Sequence, residues 1–99
     1  MNAYPTITDS RDMALTHKDF FRILPRAMGD HSHTTDSNGV TAKVHDGEVR
    51  IDIGPQQLRK IALMEVPWCR VDFTATGLTQ AQFEEFSTHF HRRYQRGGG

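Results

Sequence analysis

The chain has 99 residues, and its 12 lysine and arginine residues balance its 12 aspartate and glutamate residues. That length supports one compact domain, and the missing basic excess disfavours nucleic acid or an anionic membrane surface as the partner. The one cysteine excludes an intramolecular disulfide framework, and no apolar stretch approaches the roughly 20 residues of a membrane span. We therefore expect a cytoplasmic protein with no membrane association and no cofactor.

The N-terminal part of the chain predicts an arm followed by a helix. Residues 1–14 are polar and include a proline, which is typical of a flexible N-terminal arm. Thr16 and Asp19 have the spacing of a helix N-cap and its first-turn carboxylate. Pro25 interrupts the following apolar pattern, so we expect a helix from residue 17 to about 24 and a looser turn through residue 28. The apolar positions at helical spacing are Phe20, Ile23, Leu24 and Ala27.

A hairpin is the clearest strand prediction. Residues 29–39 contain no apolar side chain and predict a mobile loop. Apolar and polar residues then alternate over residues 40–45 and 48–53, on either side of Asp46-Gly47. An Asp-Gly pair favours a two-residue turn, which would set Val44 opposite Val49 and Lys43 opposite Arg50.

Two further strands are expected at 58–64 and 69–75. On the second, alternation directs the side chains of Cys69 and Phe73 to the core. The first is ambiguous, and we expect Ile61 and Leu63 to face inward, because the opposite face would bury the ammonium group of Lys60.

The last element is an amphipathic helix. Thr79 and Gln82 form a capping box at its start, and four aromatic residues follow at helical spacing. The chain therefore predicts an α+β two-layer sandwich, in which a four-stranded antiparallel meander carries the N- and C-terminal helices on one face. This single domain covers residues 15–96, and residues 97–99 are expected to be a flexible Gly tail. The aromatic residues are Phe83, Phe86, Phe90 and Tyr94.

The loop at 29–39 contains the candidate metal ligands. Imidazole and carboxylate groups bind zinc, nickel or copper, although a polar loop with no ordering residue is more often simply solvated. The four candidates are Asp30, His31, His33 and Asp36.

The sheet face that the helices leave open is the candidate partner-binding surface. Alternation directs Trp68 and Arg70 to this face, and tryptophan and arginine are enriched in binding hot spots. Lys43 opposite Arg50 would place two like charges together, a local cost that an anionic partner would relieve. The alternative is a solvated charged face.

The C-terminal residues Arg92 to Gly99 end in a glycine run after basic residues. This tail resembles the Gly-Gly ends of ubiquitin-like sulfur carriers, which implies activation at a terminal carboxylate. In those carriers the tail follows a strand, whereas a helix precedes it here.

No catalytic motif is present: the sequence has no nucleophile elbow, no phosphate-binding glycine loop and no zinc cysteines. We therefore expect a small, non-catalytic binding or adaptor module that acts through contacts with another protein. The alternatives are a metal-binding accessory protein that uses His31 and His33, and a Gly-Gly-tailed carrier. Partner identity and oligomeric state stay open at this point.

Overall fold

The structure is a computed structural model that describes residues 4–97. An antiparallel sheet is covered on one face by two helices, which confirms the α+β fold. The sheet has six strands rather than four, in the order β1-β6-β4-β3-β2, and β5 pairs with a part of β6. Neither helix of the described residues could span a membrane. The elements are β1 (Ile7–Met13), α1 (His17–Met28), β2 (His33–Asp36), β3 (Gly39–Val44), β4 (Gly47–Ile53), β5 (Gln57–Ile61), β6 (Met64–Thr76) and α2 (Gln80–Gly97).

Two edge strands lie where flexible segments were expected. Residues 7–13 of the expected arm form β1, which pairs with β6 from Ile7 opposite Ala75 to Met13 opposite Cys69. Residues 33–36 of the expected loop form β2 on β3. Both predictions are wrong because an edge strand is held by backbone hydrogen bonds and needs few apolar side chains. Of the expected Gly tail, Gly97 belongs to α2, and residues 98–99 lie outside the described part, as do residues 1–3 of the arm.

The predicted hairpin forms with a different register. Val44 lies opposite Gly47, so His45 and Asp46 make the turn, with His45 at φ 51°. Lys43 accordingly lies opposite Glu48 rather than Arg50. The prediction failed because a shift of two residues leaves every side chain on its original face, so burial cannot distinguish the two registers.

Close packing rather than turn geometry accounts for the glycine at position 47. A Cβ atom there would lie 2.1 Å from the carbonyl oxygen of Thr76, where β4 begins to pair with β6. Gly47 therefore allows β6 to approach the start of β4.

The helices form as predicted at their N-termini. The Thr16 hydroxyl accepts a hydrogen bond of 3.0 Å from the Asp19 amide, and Thr79 and Gln82 form the reciprocal capping box. α1 continues through Pro25 to Met28, beyond the predicted end at residue 24. Proline removes one helical hydrogen bond, and burial of the last turn offsets that loss. The buried residues of the two helices are Phe20, Ile23, Leu24, Ala27, Met28, Phe83, Phe86, Ser87, Phe90 and Tyr94.

Candidate functional site

A hairpin projects from one end of the sheet. β6 has 13 residues and spans about 40 Å, most of the 54 Å length of the molecule. Its residues from 69 onward pair with β1, and those from 71 onward with β4. Within residues 4–97, the segment 64–68 pairs with β5 alone. We call residues 57–68 the distal hairpin.

The distal hairpin exposes a cluster of large apolar side chains. Leu63 is fully exposed, and Leu58, Ile61 and Met64 are 63%, 55% and 66% exposed. Apart from these four, Tyr4 is the one other exposed large apolar residue in the described chain. Monomeric proteins rarely leave such side chains clustered in water, and exposed apolar patches mark interaction sites.

The expectation that Ile61 and Leu63 face inward is therefore wrong. Residues 58–64 are not one strand, because a turn at Ala62-Leu63, with Ala62 at φ 56°, separates β5 from β6. Lys60 is exposed, as expected from the cost of burying its ammonium group. However, neither face of this hairpin packs against a core. The sequence signal was the uninterrupted apolar run 61–64 at a turn, where polar residues are usual.

Most of this apolar surface lies on one face of the distal hairpin. Strand pairing places Ile61 opposite Met64, and Arg59 opposite Val66. By alternation these side chains share a face with Trp68. The Arg59 guanidinium carbon lies 4.9 Å from the centre of the Trp68 ring, a cation–π contact. We call Ile61, Met64, Val66 and Trp68 the apolar strip, and it continues into the open face of the sheet.

The base of the hairpin is fixed to α1. Gly54 to Gln56 form an irregular link between β4 and β5. The chain from the end of β4 to the start of β5 contains one residue more than the stretch of β6 that faces it, so the regular pairing is interrupted there. The backbone amide of His17 donates to the Gln56 side chain at 2.9 Å, and the His17 ring donates to the Gly54 carbonyl at 2.6 Å. The bond to Gln56 also satisfies an amide of the first helical turn.

Pro67 protects the free edge of β6. Ile61 and Met64 flank a two-residue turn and exchange ladder hydrogen bonds, so the backbone groups of Pro67 point away from β5. An odd number of residues separates Pro67 from Arg70, so their backbone groups point to opposite edges of β6. The Arg70 carbonyl accepts a hydrogen bond of 2.7 Å from the Gly54 amide, which lies on the side of β5. The missing N–H of proline thus lies at the exposed edge, where it discourages another strand from pairing.

The predicted site residue Arg50 is fully engaged within the open face. Its guanidinium donates to both carboxylate oxygens of Asp36 at 2.9 and 3.2 Å, to Asp52 at 2.9 Å and to Thr41 at 3.1 Å. These carboxylates raise the pKa of Arg50, and its hydrogen bonds lower the pKa of Asp36. Arg50 therefore joins β2 to β4, and Lys43 lies beside Glu48. The like-charge pair that motivated the sequence hypothesis does not form.

The open face is acidic in total. The Nε atom of Arg70 lies 3.7 Å from a carboxylate oxygen of Asp72. This ion pair is next to Trp68, at the base of the distal hairpin. Strand pairing places five carboxylate residues and three cationic residues on this face. The five are Asp12, Asp36, Glu48, Asp52 and Asp72, and the three are Lys43, Arg50 and Arg70.

The candidate metal ligands are not brought together. Asp36 binds Arg50 on the open face, whereas the His31 ring lies on the helix side, 5.6 Å from the Phe86 ring. His33 donates from Nδ1 to the His31 carbonyl at 3.1 Å, and Asp30 is exposed at the surface. Among the residues that the structure describes, no group of three histidine, cysteine or carboxylate side chains is placed to hold a metal ion.

A groove at the opposite end of the molecule collects other histidines. It has a volume of about 590 Å³ and is lined by His31, His45, His89 and Glu85, with Phe86 at its base. His45 Nε2 lies 3.7 Å from a Glu85 carboxylate oxygen. These residues come from the turn between β3 and β4, from α2 and from the segment after α1. Sequence spacing indicated that Glu85 and His89 share a helix face, but not that His31 and His45 would join them.

His91 lies beneath β1. Its Nε2 atom is buried without a hydrogen-bond partner, and its ring centre is 5.3 Å from that of Phe73. Burial, and secondarily the positive charge of Arg11, lower the pKa of His91 to about 4. The imidazole is therefore neutral at physiological pH.

Comparison of the chain with protein-family models, with curated proteins and with solved structures gives no match.

Proposed function

We propose that this protein is a small, non-catalytic binding module that docks a protein partner on the distal hairpin. The observation that carries this proposal is the exposure of Leu58, Ile61, Leu63 and Met64 on a hairpin that projects from the folded body. Keeping four such side chains in water is unfavourable, by about 25 cal/mol for each Å² of apolar surface. Burial against a partner recovers that free energy.

The base of the hairpin supplies the polar contacts that a docking surface needs. Trp68 and Arg59 form a preordered pair, and Arg70 extends from the adjoining strand. Tryptophan and arginine are the residue types most often found in binding hot spots. The predicted site residues Trp68 and Arg70 are therefore retained in this surface, whereas Arg50 supports the sheet and Lys43 lies farther along it.

The test is proximity capture in the native cell followed by mass spectrometry, with two variants. Leu63→Ser/Met64→Ser removes apolar groups that the fold does not bury, and Tyr4→Ser removes an exposed aromatic group elsewhere. We expect the hairpin variant to lose the captured protein and the Tyr4 variant to keep it. A captured protein that is recovered equally with all three proteins would contradict the proposal. A cytoplasmic location is proposed on composition alone, and fractionation in the same cells tests it.

A further inference from the structure

We propose that the free edge of β1 pairs with β1 of a second copy of this chain, so that the two sheets join across a two-fold axis. The axis is perpendicular to the sheet, so the two edge strands run antiparallel and each copy contributes the same residues. This surface is separate from the distal hairpin, and the inference goes beyond the proposed function.

One side of the β1 backbone has no partner. The even-numbered residues of β6 direct their backbone groups toward β4 and β5, as the bond from the Gly54 amide to the Arg70 carbonyl shows. The odd-numbered residues of β6 therefore bond to β1, where they face the odd-numbered residues. Within residues 4–97, no strand pairs with the opposite side of β1. The residues whose N–H and C=O groups point to that free edge are Thr8, Ser10 and Asp12.

The other free edges of the described sheet carry features that discourage pairing. β2 has only four residues, β5 carries Lys60, and the projecting part of β6 contains Pro67. β1 has seven residues and contains neither proline nor lysine. An edge strand of that length is a template for another strand.

The charges of β1 complement each other when the strand meets its own copy. With the axis at Ser10, Asp9 of each copy lies opposite Arg11 of the other. These pairs occupy positions without mutual backbone hydrogen bonds, where facing side chains approach most closely. In the single chain Asp9 and Arg11 already lie 3.2 Å apart, and their side chains remain 36% and 51% exposed. In the dimer each of these charges has two neighbours of opposite sign.

The flanking pairs fit the same register. Ile7 of one copy lies opposite Met13 of the other on the helix side, where these side chains are partly buried and buried. Their contact extends the apolar layer beneath the sheet. On the open face Thr8 lies opposite Asp12, so a hydroxyl can donate to a carboxylate. Ser10 lies opposite itself at the axis.

Charge disfavours the neighbouring registers. An axis at Asp9 would set this carboxylate opposite its own copy, and an axis at Arg11 would pair two guanidinium groups. Like charges directly opposite each other destabilise a strand pair. Charged residues that point inward from an edge strand oppose pairing with unrelated strands. Here the same two charges favour one register of one strand, which makes the contact specific.

Reversal of these charges tests the pairing. Arg11→Asp would set carboxylates opposite each other, and Asp9→Arg would set guanidinium groups opposite each other. In sedimentation between about 10 μM and 1 mM, we expect the unmodified chain to form dimers and each variant to remain monomeric. An equimolar mixture of the two variants should form a heterodimer, because each arginine then faces an aspartate. Lys18→Asp, which reverses an exposed charge on α1, is the control and should dimerise.

Two results of this experiment would overturn the proposal. The first is an unmodified chain that stays monomeric at every concentration. The second is a mixture of the two variants that stays monomeric while the unmodified chain dimerises. Leu63→Ser/Met64→Ser, which alters the distal hairpin alone, should dimerise normally. Loss of the dimer in this variant would place the contact on the hairpin instead of β1.

Disulfide formation tests the register without changing a charge. Ser10→Cys places two thiols at the axis, where paired Cα atoms are about 5.5 Å apart and within reach of a disulfide. Thr8→Cys places its thiol on the same face of the same strand but opposite Asp12. The natural thiol of Cys69 is fully buried. Under mild oxidation we expect Ser10→Cys to form a covalent dimer at least tenfold faster than Thr8→Cys, and equal rates would contradict the register.

Discussion

The Tyr94 hydroxyl donates a hydrogen bond of 2.7 Å to the backbone carbonyl of Phe20, and so links the end of α2 to the first half of α1. The two rings also stack, with centres 5.5 Å apart. Burial raises the pKa of Tyr94, which keeps the phenol protonated and able to donate. This contact orients the two helices that cover the sheet.

Removal of that hydroxyl should weaken the fold while preserving the ring. We expect Tyr94→Phe to lower the free energy of unfolding by about 1 kcal/mol, the usual net value of a buried hydrogen bond. Urea unfolding followed by circular dichroism measures the change. Tyr4→Phe, at an exposed tyrosine, should leave the unfolding midpoint unchanged, and a similar loss in both variants would contradict the assignment.

Substitutions at Gly47 and His45 test whether close packing or turn geometry requires the glycine at position 47. Gly47→Ala should destabilise the protein by about 2 kcal/mol or more, since backbone must shift to relieve an overpacked contact, here a Cβ atom 2.1 Å from Thr76 O. His45→Gly should be neutral or stabilising, because φ at His45 is 51° and glycine accepts that value without strain. Thermal unfolding of the His45→Gly variant checks the register, because an Asp46-Gly47 turn would place His45 in a strand, where glycine is destabilising.

Arg50 should control the attachment of β2 to the sheet. Arg50→Ala removes the two hydrogen bonds to Asp36 in β2 and the bond to Asp52 in β4. We expect amide hydrogen exchange across His33–Asp36 to accelerate, while exchange in β6, which β1 and β4 flank, stays slow. Arg50→Lys should give an intermediate rate, because an ammonium cannot reproduce the bidentate contact. Unchanged exchange in β2 after Arg50→Ala would show that the backbone ladder alone holds this strand.

The half-buried imidazole of His91, with its Nε2 atom fully buried, predicts a loss of stability in mild acid. Its pKa of about 4 in the folded protein lies below the ordinary histidine value of 6.5. Between these values the unfolded chain takes up a proton that the folded chain does not, so stability is complete above about pH 6.5 and declines toward pH 4. His91→Phe should flatten this decline, and His89→Gln, at an exposed histidine of the same helix, should leave it in place. Unfolding midpoints of the unmodified chain and of both variants, measured between pH 4 and 6.5, test this prediction.

The residues that define the core were predictable, whereas of the residues in the proposed docking surface only Trp68 and Arg70 were. Phe83, Phe86, Phe90 and Tyr94 repeat at helical spacing, and burial on one face follows from that period alone. β1 escaped prediction because it is held by its backbone ladder with β6, which leaves little trace in a polar edge sequence. The contact between Arg50 and Asp36 depends on a register that alternation cannot fix to better than two residues.

The sequence did not predict the distal hairpin, because burial arguments assume that apolar side chains face a core. The run from Leu58 to Met64 is apolar, and a periodicity argument assigns such residues to a core. No core lies beside it, because β6 continues beyond both β1 and β4. Sequence alone gives the composition of this segment, whereas its projection depends on the relative lengths of three strands.

The apolar tip should be dispensable for folding. Leu63→Ser/Met64→Ser changes side chains that are fully and 66% exposed, and surface substitutions usually alter stability by no more than about 0.5 kcal/mol. Phe86→Ala, in the buried face of α2, should instead cost about 3–5 kcal/mol. Urea unfolding of both variants makes the comparison. A tip variant as stable as the unmodified chain would show that these apolar groups are not needed for folding, which a docking surface requires. A loss near that of Phe86→Ala would instead place the hairpin within the folded core and remove the physical basis of the docking surface.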